Sequence, residues 1–366
     1  MSTRAGRYIQ QGSGPRVFIP KPLPPSPALK FDAEMVNLLA EASTAIGGLG
    51  EATRDVPHPE LFMIMYVKKE ALLSSQIEGT QSTLDDLLEF EAGDMSRSSA
   101  REVVRHVDAI MYGLERLGSL PLSLRLIREI HAVLLKGVRG EDRTPGEFRR
   151  GQVVVGGTYY PLPPDRLDAP LANLEEFLND RADFPPLVQC GIAHSQFETI
   201  HPFSDGNGRM GRLLITLLLC ERGVLDMPLL YISHYLLENR REYYERLMGV
   251  RNDGDWEGWL KFFFRGVAVV SSSAIQTARG IGDLRKELES RITDTENFNP
   301  RDLLALGEFF ASPVLSVNGL ANGLGITYPT ARRIINRFVA MGIVSETTGR
   351  TRDKHYRFGP YVELFR

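Results

Sequence analysis

The sequence is poor in the features that would place it in a specialised class at once. Only two cysteines, Cys190 and Cys220, occur in 366 residues. Both have apolar neighbours, which argues against a disulfide scaffold or a cysteine metal site and for two buried, reduced thiols. Neither sign of charge dominates: the formal net charge is -3, so any surface for nucleic acid or membrane must be local. No long hydrophobic run exists either. The longest, residues 213–220, is less than half of the about 20 apolar residues a membrane-spanning helix requires. Arg4, Arg7 and Arg16 lead into prolines and not into an apolar segment, so no secretory leader is expected. A cytoplasmic protein without a membrane partner is the resulting expectation. Internal repeats are absent.

What is present is a mainly α pattern long enough for two or three domains. Residues 1–30 are polar and proline-rich, with Pro20, Pro22, Pro24, Pro25 and Pro27, and predict an extended arm. Helical periodicity fills 31–118, including a run over 60–78 that opens after Pro59 and stops at Gly79. In 119–268, helices are predicted over 124–135, 166–179, 186–200, 208–222 and 239–251, with another from Trp256 to about 291. One interruption, 151–164, reads as a hairpin: Val153, Val154 and Val155, a two-residue turn at Gly156 and Gly157, then Thr158 to Tyr160. A linker helix is expected over 269–300. The last unit, 301–366, shows helices at 303–310, 317–324 and 328–341, a tight turn at Gly325, and two short strands around a basic tip. That order is a winged-helix pattern.

The informative stretch runs from His201 to Arg212. Pro202 moves His201 out of helical geometry, so the histidine closes the helix before it. Gly206 and Gly208 permit the positive-φ backbone that aims successive N–H groups at one point. An apolar helix begins there, and its free N–H groups and dipole complete an anion site. Arg209 and Arg212 oppose that dipole on one face of the first turn, a cost of about 0.3–1 kcal/mol each when exposed, which a polyanionic ligand would offset. Asp205 is a hard oxygen donor suited to Mg²⁺ beside phosphates, and His201 could accept a hydroxyl proton. Gly206, Gly208 and Gly211 also spell a dinucleotide fingerprint, but a helix precedes them and no βαβ unit surrounds them. Taken one at a time, a helix-end histidine and a solvated arginine pair are ordinary features.

Glu78 breaks a second rule by placing a carboxylate at the negative end of its helix, just before Gly79. Ser74 lies four residues earlier on the same face. A solvated last-turn acid is one reading. The other is a pairing with Arg209 or Arg212, whose misfit is the mirror image.

At these residues the sequence resembles the Fic family. Its signature, HxFx(D/E)GNGRxxR, is met by His201, Phe203, Asp205, Gly206, Asn207, Gly208, Arg209 and Arg212. The resemblance extends through His194, Phe197 and Glu198 and on to Tyr243, Tyr244, Trp256 and Trp259, over residues 30–270. It implies a Fic-type helical core with one β-hairpin flap, followed by the winged-helix domain. It also implies a protein adenylyltransferase that moves AMP from Mg-ATP to a Tyr, Thr or Ser hydroxyl of a target protein or of itself. In that scheme His201 is the base, Asp205 the Mg²⁺ ligand, Asn207 an α-phosphate contact, and Gly206 and Gly208 the anion-hole glycines. Arg209 and Arg212 clamp the outer phosphates, while Gly211, Tyr243 and Tyr244 belong to the nucleotide site. Residues Val153 to Gly157 form a flap that pairs with target backbone.

Ser74, Glu78 and Gly79 fit the family's inhibitory motif, (S/T)xxxE(G/N), with Glu78 implied to hold Arg212 so that the γ-phosphate cannot seat. The resemblance also allows AMP removal or transfer of another phosphate group, and makes a homodimer conceivable. A function of a different class is a winged-helix regulator that binds DNA through Arg332, Arg333 and Arg337 on the recognition helix and Arg350, Arg352 and Lys354 in the wing. Protein docking is the competing use of such a domain.

Overall fold

The computed structural model describes residues 3–54, 59–93, 96, 99–181, 183–296, 298–349 and 353–365. In chain order the elements begin with β1 (Gly6–Gln10), β2 (Arg16–Pro20), α1 (Ala33–Arg54), α2 (Pro59–Ile77), α3 (Leu84–Glu91), α4 (Ala100–Leu117) and α5 (Leu124–Leu134). A 3-10 turn at Pro164–Arg166 leads to α6 (Asp168–Asn179), α7 (Pro186–Ile200), α8 (Asn207–Glu221), α9 (Ser233–Glu238), α10 (Arg240–Asp253) and α11 (Trp256–Thr293). The remainder is α12 (Pro300–Ala311), β3 (Val314–Ser316), α13 (Val317–Leu324), α14 (Tyr328–Ala340), β4 (Ser345–Glu346), β5 (His355–Arg357) and α15 (Gly359–Glu363). Among the described residues no helix is long and apolar enough to cross a membrane.

The chain divides into two compact units, one of Met1–Gly50, Tyr66–Gln81 and Glu102–Ser272, the other of Glu51–Met65, Ser82–Arg101 and Ser273–Arg366. The first is organised around α7 and α8. Every residue of α7 from Leu187 to Ile200 is buried, as are nearly all of α8. A helix with no polar face has to be surrounded, and α6, α10 and β2 pack on α7. The first turns of α11 add Trp256, Trp259 and Phe262 to Phe264, all buried. Trp259 donates its indole N–H to Gly191 O at 2.7 Å. This approach depends on Gly191 having no side chain: a Cβ would fall 2.6 Å from Leu260 Cδ2 and 3.1 Å from Phe263 Cδ1.

Two segments differ from the sequence reading. Where the prolines suggest only an extended arm, β1 and β2 form an antiparallel pair with Tyr8 opposite Phe18. The aromatic and β-branched residues of Tyr8-Ile9 and Val17-Phe18-Ile19 favour a pleated pair, and Val17 and Phe18 are fully buried. The 151–164 hairpin is correspondingly slighter than expected. Its pairing reduces to one bridge, Val155 to Tyr159, and the turn takes three residues, Gly156, Gly157 and Thr158. The stretch leans on β2, where Phe18 N–H donates to Tyr160 O at 2.9 Å, because an isolated hairpin is marginal in water.

In the second unit, α12, α13 and α14 pack with an antiparallel sheet of order β3-β5-β4. Phe309, Phe310, Phe338, Phe358 and Tyr361 form its aromatic core. Gly325 ends α13 in the left-handed region at φ 60. Helix α3, capped by a reciprocal Thr83–Asp86 pair, offers acids to the β5 hairpin: Glu89 meets His355 Nδ1 at 2.6 Å and Asp85 accepts from Arg357 Nε at 2.7 Å.

Gly191→Val is expected to destabilise the first unit by about 1–3 kcal/mol through overpacking. The midpoint of urea unfolding reads this. An unchanged midpoint would mean that α7 and α11 have slack the distances deny.

Candidate functional site

The end of α2 and the start of α8 meet with the two misfit charges in contact. Gly79, at φ 95, turns the chain out of its helix, leaving Glu78 at the tip with Ser74 one turn behind. Arg212 Nη2 donates to Glu78 Oε1 at 2.7 Å and to Ser74 O at 2.9 Å, and its Nε donates to Ser74 Oγ at 2.8 Å. Arg212 is 1% exposed. Burial pushes its guanidinium down, but the Glu78 charge outweighs this and leaves it above the ordinary arginine value. Burial pushes the Glu78 carboxyl up, and the charge and hydrogen bond of Arg212 reverse that, holding it below the usual carboxylate range. The pair is ionised on both sides.

Gly208 serves this contact differently from the expectation. It lies inside α8 without positive φ, so it contributes no left-handed turn. A Cβ there would collide with Glu78 Oε1, so its role is clearance. Gly206 does adopt the left-handed region, at φ 75, as the N-cap of α8. His201 closes α7 in the same region, at φ 50 and ψ 63, and not in the extended geometry that a following proline favours.

Between them the loop is stapled by Asn207, which is 2% exposed. Its Oδ1 accepts from Phe203 N–H at 2.8 Å and its Nδ2 donates to Phe203 O at 2.8 Å. The side chain expected to meet an α-phosphate is therefore committed to the loop itself. Phe203 is buried against the His131 ring, stacked at 3.7 Å and 6°. Asp205 keeps its carboxylate 37% exposed, with Arg209 Nη2 at 3.8 Å. Arg209 is 1% exposed, and its Nε and Nη1 have no hydrogen-bond partner. A buried cation with idle donors beside an N-terminal helix turn is prepared for an anion.

The His201 side chain is 16% exposed, with Nδ1 lying 3.8 Å from Glu198 Oε2. Burial, then the charges of Arg251 and Arg149, push the imidazole down to about 3, far below the near-neutral value its residue type suggests. It is neutral here and, in this buried state, a weaker base than a free imidazole. Burial moves Glu198 the other way, up to about 7. Tyr243 is buried, and its hydroxyl lies 2.9 Å from His194 Nε2. His194 Nδ1 faces Gly211 O at 3.0 Å, so Nδ1 carries the proton and Nε2 accepts from Tyr243. Tyr244 is 39% exposed under the Arg240 guanidinium.

Three residues of the site escaped the sequence reading. His131 faces Asp205 O through Nε2 at 3.0 Å and accepts from Gly146 N–H at Nδ1 at 2.9 Å. Arg149 and Arg251 grip the end of α7. All three lie far from the motif in sequence, and none carries a local signal beyond a polar residue at a position that turns out to be buried.

The arrangement defines a class: a helical protein with an anion cradle at a buried helix N-terminus, closed by an acid from a second helix. Comparison with known proteins places the chain among named relatives. Residues 36–115 match the Fic/DOC family N-terminal domain and residues 121–219 the Fic/DOC family domain. The chain is 38% identical over 143 residues to a protein adenylyltransferase Fic of Aedes aegypti, covering 38% of this chain and 27% of that one. It is 33% identical over 243 residues to the same-named protein of Drosophila willistoni, covering 63% and 47%. It thus spans less than half the length of these curated relatives. A Fic family protein from Desulfovibrio desulfuricans G20 shares the fold over 91% of this chain and 98% of its own, with a TM-score of 0.56 at 23% identity. Fic-1 (aa134 - 508) from C. elegans does so over 70% and 74%, with a TM-score of 0.50 at 25% identity. The chain thus carries a Fic/DOC family N-terminal region and, after it, a Fic/DOC family domain.

Asn207→Ala should cost about 1–3 kcal/mol, because it leaves a buried donor and a buried acceptor of Phe203 unpaired. Asn207→Asp returns only the acceptor and should remain destabilised. Urea unfolding of the three proteins tests the staple; equal midpoints would refute it.

Proposed function

We propose that this protein is a protein adenylyltransferase that joins AMP from ATP to a protein hydroxyl and is held inactive by Glu78. The observation that supports this most is the pair of buried arginines on the first turns of α8. Arg212 is taken by Glu78, while Arg209 keeps free donors. A triphosphate lying along that turn would place its outer phosphates where the Glu78 carboxylate now sits. ATP and the acid therefore compete for one cation.

In the proposed reaction the acceptor hydroxyl oxygen attacks the α-phosphorus in line. The bond from that phosphorus to the pyrophosphate oxygen breaks, pyrophosphate leaves, and His201 takes the hydroxyl proton. The N–H groups at the start of α8 hold phosphate oxygens, and Arg209 and Arg212 neutralise the leaving group. The base contributes on the order of 10² to 10⁴ in rate. Asp205, one exposed carboxylate beside a phosphate cradle, suits a magnesium ion, which binds proteins through one or two carboxylates and completes its shell with phosphate and water oxygens. Bound there, the ion would neutralise phosphate charge. The turn at 153–157, with Val154 half exposed, is the edge an acceptor segment would pair with.

We also propose that the elements from α12 to β5 form a winged helix with an anion-binding face. Arg332 and Arg333 are exposed on α14, and Arg332, Asn336 and Lys354 line a concavity with the start of α13. The face is smaller than the sequence suggested. Arg337 is committed to Asp302, and Arg350 and Arg352 lie outside the described residues. Double-stranded DNA is the ligand to try. The full chain should retard it at low salt, with retardation weakening as salt rises and with Arg332→Glu; no retardation at low salt removes DNA as the partner.

Incubation with α-labelled ATP and Mg²⁺ tests the main reading. Glu78→Gly should take up label at least 10-fold faster than wild type, by the order expected for freeing a phosphate clamp. Adding His201→Ala should abolish labelling while leaving ATP binding in place. ATP labelled at the γ-phosphate should leave nothing on protein. Equal labelling by wild type and Glu78→Gly would show that the acid is no brake.

A further inference from the structure

An α-helix leaves its last carbonyls without internal partners. At the end of α7, two buried arginines supply them. Arg149, 2% exposed, donates Nε to His201 O at 2.8 Å, and its Nη2 reaches Ile200 O at 3.5 Å. Its own backbone N–H donates to Pro202 O at 2.9 Å. The same guanidinium donates Nη1 to Gly151 O at 3.2 Å and Nη2 to Leu162 O at 2.6 Å. Gly151 and Leu162 are the two feet of the turn that carries Val153 to Gly157. From α10, Arg251 donates Nη2 to Glu198 O and Nε to Thr199 Oγ1, both at 3.1 Å. It lies 4.0 Å over the Tyr159 ring, whose hydroxyl donates to Thr199 O at 2.7 Å.

Arg251 thus secures the body of the helix end. Among the described residues, Arg149 alone joins the carbonyl of His201 to both feet of the turn. His201 needs that hold, because a left-handed conformation is unfavourable for a non-glycine residue and persists only where the surroundings impose it.

We infer that Arg149 is a positioning residue for transfer, its planar fork fixing the His201 backbone to the acceptor-binding turn so that base and acceptor hydroxyl meet in one geometry. This rests on the reading of His201 as the base. Only a guanidinium can do it: a lysine keeps the charge but is a point donor that cannot serve three separated carbonyls at once. The charge has a second effect. The groups facing the His201 ring are the cations Arg149 and Arg251 and the acids Glu78 and Glu198. Burial pushes Arg149 down to about 10, so it remains a cation at neutral pH and disfavours the imidazolium.

The test uses the Glu78→Gly chain as parent, with Arg149→Lys and Arg149→Met added. The readouts are self-labelling from α-labelled ATP, ATP affinity by calorimetry, and the pH profile of the rate. Both variants should lose kcat by about 10- to 100-fold, the scale of a small misplacement of a reacting group. The Kd for ATP should stay within about 2-fold, because the cradle at the start of α8 is untouched. In Arg149→Met the lost cation lets the imidazolium form at higher pH, so the acid limb of the profile moves up; in Arg149→Lys it stays. Unimpaired kcat in both variants overturns the inference. So does a kcat loss matched by an equal loss of ATP binding, or failure of both variants to fold, either of which makes Arg149 a general structural residue. A parent that takes no label overturns the functional reading and this inference together. A labelling parent with unimpaired variants overturns this inference alone.

Discussion

Arg212 is a full positive charge with almost no access to water, and much of the first unit is arranged to answer it. A guanidinium removed from solvent without an anion costs several kcal/mol, and removing one partner of a buried pair is correspondingly expensive. Glu78 supplies the charge, and Ser74 supplies two further acceptors that use the rest of the fork. The contact also answers two smaller problems. A carboxylate at the end of α2 and an arginine at the start of α8 each oppose their own helix dipole, and each sits well against the other's helix end. One salt bridge thereby sets the approach of the two helix ends, with Gly208 leaving the space.

Under the proposed function that solution is a switch, because the anion would be replaceable. Phosphate oxygens offer Arg212 the same bidentate acceptor geometry as a carboxylate, so a triphosphate could take the place of Glu78 without leaving the cation bare. Arg209 differs in having idle nitrogens, and on the same proposal its unmet donors would favour ligand over the closed form. On that proposal, closed and ligand-bound forms would be two ways to satisfy one buried charge, with the balance set by differential affinity.

The proposed base, His201, and its surroundings follow a separate logic. His201 is pressed neutral by burial and by two arginines that also terminate its helix. Its loop is held by Asn207 from within and by His131 and Arg149 from without. A loop with two left-handed positions has little intrinsic preference for its shape, so these contacts give the imidazole and the Asp205 carboxylate their places. The same contacts tie the loop to the segment that precedes it in sequence, so neither moves alone.

Helix boundaries were largely legible because their signals are local. Pro59 opens α2, Gly79 follows its end, and the apolar density of α7 and α8 announced burial. The motif from His201 to Arg212 and the acid at Glu78 could also be read, since each breaks a helix-end rule that needs only neighbours to evaluate. Other features depended on contacts remote in sequence. The β1–β2 pair was obscured by the prolines after it, and the turn at 156–158 took one residue more than its glycines implied. The duties of Asn207, Gly208 and Tyr243 are set by what faces them, as are those of His131, Arg149 and Arg251. Residue type and spacing determined which charges this protein had to reconcile. Only the packed structure decided which partner each received, because hydrogen bonds and burial act on distances that the order of residues does not contain.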